Sequence, residues 1–88
     1  MQMTAHAETR SIQRSVPHDI IETILVYGRP VHSRGALSVA MDRRALELAA
    51  SELERRDLVR LERYRGVYVV ADGAVVVTVA RPTRRRRR

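Results

Sequence analysis

The stretch Val67-Tyr68-Val69-Val70-Ala71-Asp72-Gly73-Ala74-Val75-Val76-Val77-Thr78-Val79-Ala80 decides the fold class. Two runs rich in β-branched residues flank Asp72-Gly73, and Asp-Gly supplies the positive φ angles of a two-residue type I′ turn. The stretch predicts an antiparallel β-hairpin. With Asp72-Gly73 as the loop, Val70 lies opposite Val75, Tyr68 opposite Val77 and Val67 opposite Thr78, which sends Tyr68 and Thr78 to opposite faces. Both faces are apolar near the turn, so cover is expected on both sides, from helices or a partner chain. Left bare, such a ribbon invites edge-to-edge association.

Upstream, the pattern is helical. Thr4 to Arg14 holds no breaker, and His6, Arg10, Gln13 and Arg14 share one stripe of the predicted helix, with Ala5, Ile12 and Val16 on a neighbouring stripe that can pack inward. Ser15-Val16-Pro17 reads as the start of a second helix, with a capping serine, a proline in the first turn and Asp19 near the positive end of the dipole. Ile20, Ile21, Ile24 and Leu25 form its apolar face, and Gly28 followed by Pro30 ends it. Val31 to Gly35 reads as a loop and Ala36 to Met41 as a short strand. Asp42 then caps a third helix carrying Leu46, Ala49, Ala50 and Leu53 on one side. Glu47 with Arg43 and Glu52 with Arg56 have the spacing of helical ion pairs. Leu58 to Glu62 fits either a continued helix or a short strand. The order helix, helix, strand, helix, hairpin is that of an α+β domain.

The chain has 88 residues, 44% of them apolar, enough for one small core. Absence of cysteine removes disulfides, thiolate metal sites and cysteine nucleophiles. The apolar runs fall short of the roughly 18 residues that a membrane span needs, and the first ten residues lack a signal-peptide core, so a cytoplasmic protein is expected. All 17 basic residues are arginine, and five of them are Arg84, Arg85, Arg86, Arg87 and Arg88. Without those five, the net charge of +7 falls to +2, twelve basic residues against ten acidic. The sequence therefore divides into a nearly balanced domain over residues 1–83 and a polycationic tail over 84–88.

A family resemblance rests on His6-Ala7 with Arg10, Gln13-Arg14 and Val16-Pro17, then Ile24-Leu25 before Gly28, then Asp72-Gly73 with Val77-Thr78-Val79 and a basic end. These residues resemble the small bacterial proteins grouped as domain of unknown function 4258, placed in the barnase, EndoU, colicin and RelE fold group. The likeness spans roughly residues 4–86. Ser15 stands where such proteins more often carry glycine, and the middle third departs from the pattern. The resemblance implies a RelE-like arrangement of helices packed on an antiparallel sheet, a basic RNA-facing surface, metal-independent endoribonuclease activity of the toxin type, and a neutralising antitoxin as protein partner. A homodimer is a further partner to consider.

Metal-free RNA cleavage needs a group to take the 2′-hydroxyl proton, one to protonate the leaving oxygen and a cation at the phosphorane. His6, Arg10 and Arg14 on one stripe are candidates for the acid or base and two cationic stabilisers; the plainer reading is a solvated helix face. Thr78 is a candidate to orient a phosphate or a catalytic side chain, against the plainer role of a good strand former. Tyr68 divides between core packing and stacking on a base. Arg81 is a candidate phosphate clamp, or a strand terminator before Pro82. The tail arginines Arg84 to Arg88 suit sequence-independent phosphate contact, with a salt slope of about −0.7 per neutralised phosphate on single strands. His18 and His32 read as surface residues, and the wide spacing of the three histidines argues against a metal site. No cofactor fingerprint is present, since the glycines at 28, 35, 66 and 73 are scattered.

Two other classes stay open. Ala45 to Arg56 as a recognition helix and Val67 to Ala80 as a wing would make a winged-helix DNA-binding module, in which residues 1–14 are dispensable. The apolar hairpin would otherwise serve a non-catalytic interaction protein.

Overall fold

The computed structural model describes residues 1–82. The elements run in the order β1 (Gln2–Met3), α1 (Ala5–Gln13), α2 (His18–Tyr27), β2 (Arg29–Ser33), β3 (Ala36–Ala40), α3 (Arg43–Ala50), α4 (Arg55–Glu62), β4 (Tyr68–Asp72) and β5 (Val75–Ala80). The strands form one sheet of order β1-β5-β4-β3-β2, antiparallel except where β1 runs parallel to β5. The α+β class and the C-terminal hairpin are as the sequence predicts.

The hairpin's register differs. Its two-residue loop is Gly73-Ala74, with Asp72 paired to Val75. Gly73 has φ 62°, while Ala74 is not among the residues of positive φ, so the turn takes the form with glycine at the first central position. A β-bulge leaves Val77 as an extra residue on β5 between the pairs Ala71–Val76 and Val70–Thr78. An extra residue reverses the alternation beyond it. Tyr68 pairs with Ala80 and Val70 with Thr78, so Tyr68 and Thr78 share a face instead of lying on opposite ones.

One face of the sheet carries the core. Val39, Val67, Val69, Ala71, Val76 and Val79 are buried there with Ala7 from α1, Ile20, Ile21 and Ile24 from α2, Ala45 and Ala49 from α3 and Leu61 from α4. The apolar area removed from water supplies the main stabilisation of such a domain, at about 25 cal/mol per Å². The other face, lined by Ser38, Ala40, Tyr68, Val70, Thr78 and Ala80, stays partly exposed, against the expectation of cover on both sides. Gly28 sits where α2 meets β3, and a Cβ there would overlap both the Ile24 carbonyl oxygen and Val39 Cγ1. Only glycine permits this approach.

Several local expectations are corrected. Arg29–Ser33 is a strand, not a loop, joined to β3 through Arg34-Gly35, whose φ angles of 52° and 79° make the tight turn that two antiparallel strands need. The third helix ends at Ala50; after Ser51 to Glu54 the chain restarts as α4, so Leu58 to Glu62 is helical. That break removes the Glu52–Arg56 spacing, and Glu52 instead accepts a hydrogen bond from the Tyr27 hydroxyl at 3.0 Å. Ser15 does not cap α2. Pro17 holds the N-cap position and Ser15 adopts φ 55°, a left-handed conformation that costs a non-glycine residue about 1–2 kcal/mol. On α1 the buried side chains are Ala7 and Ser11, whereas Ile12 is 77% exposed. Small residues let this helix approach β5 closely, and Ser11 Oγ donates to the Val16 carbonyl at 2.6 Å, which satisfies its buried hydroxyl.

Candidate nucleic-acid interface

The candidate site forms where α1 flanks β5. β1 pairs only with Val75 and Val76, and the chain then turns into α1: Thr4 N–H donates to the Val76 carbonyl at 3.0 Å, and Thr4 Oγ1 caps the helix by accepting from Ala7 N–H at 3.0 Å. From there α1 travels alongside the rest of β5. His6 Nε2 lies 3.3 Å from Thr78 Oγ1. At the far end the Arg14 carbonyl accepts from Arg81 Nη1 at 3.2 Å. Eight helical residues rise about 12 Å, and three strand residues about 10 Å. The near match keeps the α1 backbone beside β5 from His6 to the Arg14 cap.

The sequence-predicted residues take different places in this seam. His6 and Thr78, far apart in the chain, meet directly. Either the imidazole Nε2–H donates to the hydroxyl oxygen or the hydroxyl donates to a bare Nε2, and the first arrangement leaves Nδ1 as the bare ring nitrogen able to accept a proton. Arg10 is half-buried on the same stripe and donates to Gln13 Oε1 at 3.3 Å. Arg14 is exposed, and among the described residues its guanidinium has no partner. The stripe thus presents an imidazole followed by two cations one and two turns further along.

Arg81 has a structural task that its sequence position does not reveal. Besides the Arg14 carbonyl it donates through Nη2 to the Arg63 carbonyl at 2.7 Å, and its guanidinium lies over the Tyr64 ring, 5.2 Å from the centroid. Arg14 and Arg63 are the C-caps of α1 and α4. A cation placed on two helix C-termini satisfies orphan carbonyls and complements both dipoles. One donor thus ties the C-terminus of α1, and the other that of α4, to the end of β5. The tail arginines, Arg84 to Arg88, lie outside the described residues.

Four ion pairs lie elsewhere among the described residues. Glu8 on α1 meets His18 on α2 at 2.8 Å, Arg29 meets Asp42 at 2.9 Å, Arg43 meets Glu47 at 3.6 Å, and Arg60 on α4 meets Asp19 on α2 at 2.5 Å. The hydrogen bond from Arg60 holds the Asp19 carboxyl below its ordinary range. Backbone donation from Ala45, with Arg29 nearby, does the same to Asp42. Among the described residues no three His, Asp or Glu side chains gather in a metal-ligating group, and no helix is long and apolar enough to cross a membrane. A concavity of about 390 Å³ is lined by Tyr27, Arg29, Pro30, Arg44 and Leu48, away from the seam.

No family model, curated protein or solved structure matches the chain.

Proposed function

We propose that the protein binds RNA across the α1–β5 seam and the adjoining open sheet face, and that the seam is a metal-independent endoribonuclease site. The observation that carries this reading is the His6–Thr78 contact, with Arg10 and Arg14 continuing the same stripe. With Nε2–H donated to Thr78 Oγ1, the bare Nδ1 of His6 is the base for a ribose 2′-hydroxyl, Thr78 orients the imidazole, the arginines offset the charge that develops on the phosphorane, and water protonates the 5′-oxygen as its bond to phosphorus breaks. The resemblance to the domain of unknown function 4258 family belongs to this proposal, as does a neutralising protein partner that would cover the seam.

Two features weigh against the winged-helix reading. α1 is integral to the packing, with Ala7 fully buried, and the supposed recognition helix over Ala45 to Arg56 is interrupted at Ser51 to Glu54. The test is cleavage of a mixed-sequence RNA, with chelator present, by the full chain and by His6→Ala and Arg10→Ala. Loss of a positioned general base or acid lowers the rate by about 10²–10⁴-fold. Both variants are expected to lose cleavage with unfolding midpoints unchanged, and undiminished cleavage by both would remove the seam from the reaction.

A further inference from the structure

Tyr68 occupies an unusual place on the open face. Of the three tyrosines, Tyr27 donates its hydroxyl to Glu52 and Tyr64 lies under Arg81. Tyr68 enters no such contact among the described residues and is half-buried on β4. Its cross-strand neighbours are Ala80 on β5 and Ala40 on β3, and beyond Ala40 the row ends at Arg29 on β2. Alanine stops at Cβ, so neither neighbour reaches across the ring. Diagonal cross-strand positions lie about 7–8 Å apart, which sets Thr78, and with it His6, one such step away. An aromatic ring between alanines is thus bordered by the imidazole seam on one side and on the other by Arg29, whose side chain is 64% exposed and paired through Nε to Asp42.

We propose that Tyr68 is the base-stacking position of the interface, receiving one unpaired base of a single-stranded RNA. The proposal rests on the RNA-binding reading above and specifies its ligand as single-stranded. Stacking needs an open π-face with phosphate-attracting charge nearby, and it requires a base free of its own helix. A duplex keeps its bases stacked on one another and offers Tyr68 nothing. The row accommodates the flat base because the residues flanking the ring are small, and the cations bordering the face attract the backbone on either side. With one such ring, the recognition is of a single base and not of an extended strand.

The experiment is fluorescence-anisotropy binding of a labelled 2′-O-methyl oligouridylate, which resists cleavage through the 2′-oxygen, to the full chain and to Tyr68→Phe, Tyr68→Leu and Tyr68→Ala. A matched oligonucleotide with abasic positions is the second ligand. Tyr68→Phe is expected to bind within about twofold of the parent, and the leucine and alanine variants roughly 5- to 150-fold more weakly. The abasic strand is expected to bind the parent as weakly as the base-bearing strand binds Tyr68→Ala. The leucine variant, which keeps apolar bulk, preserves the test if Tyr68→Ala fails to fold. Equal affinity of the parent and the folded leucine or alanine variant would overturn the stacking role while leaving RNA binding intact. Failure of the parent to bind any RNA strand would overturn both readings.

Discussion

Val69 and Val70 are neighbours on β4 and chemically identical, yet one is fully buried beneath the helices and the other lies partly open on the far side of the sheet. The inner face continues through Val39, Val79 and Val76, large β-branched residues that fill a core. The outer face alternates them with alanine, serine, threonine and a single tyrosine. The inner face has been shaped by packing, while the outer one has the shallow relief and bordering charge suited to a flat, anionic ligand. Two faces of one sheet can therefore be perturbed almost independently.

The largest effect expected on this comparison comes from Val69→Ala. Removing two buried methyl groups should cost about 1.5–3 kcal/mol, from lost transfer energy and a residual cavity. Val70→Ala, on the open face, should stay within about 0.5 kcal/mol. Urea unfolding of the two variants checks this directly, and equal losses would mean that the outer face is covered. A smaller effect is expected where α1 gives way to α2. Ser15→Gly relieves the left-handed strain at φ 55° and should raise stability by about 0.5–1 kcal/mol, after the greater freedom of glycine in the unfolded chain is counted.

The smallest effect concerns the helix layer's own charge. Asp19 titrates below its ordinary range because Arg60 stabilises its ionised form. Its folded value is depressed, so the stabilisation is present above the unfolded value of about 4 and is lost as pH falls through the folded one. The pair is largely exposed, so solvent screening keeps the contribution small. Arg60→Ala should therefore slightly flatten the acid limb of the stability profile below about pH 4, with no change in the RNA binding proposed for the outer face. Unfolding midpoints measured from pH 2 to 7 would detect it.

Much of this architecture was legible in local residue chemistry. The valine runs around Asp72-Gly73 and the isoleucine face of α2 carry their periodicity openly. The bulge at Val77 does not, because a run of valines reads alike in either register; the pairing is set by tertiary fit, and with it the face of Thr78. β1 is two residues long and exists through its pairing with β5, which no local signal announces. β2 was hidden by Pro30, which an edge strand tolerates because its unpaired side needs no donor. Of the site, the His6–Arg10–Arg14 stripe follows from helical spacing, whereas its meeting with Thr78 depends on how α1 docks. Arg81's two carbonyl partners are likewise set by the convergence of α1 and α4.

The face opposite the core is proposed to bind RNA, and the seam at its edge to cleave it through the 2′-hydroxyl. The most direct test is incubation of the full chain, with chelator present, with a single-stranded RNA and with the same strand made entirely of deoxynucleotides, each at low and high salt. Cleavage of the RNA strand alone, strongest at low salt, is the expected result. Cleavage of the deoxy strand, or none of the RNA under any of these conditions, would contradict it.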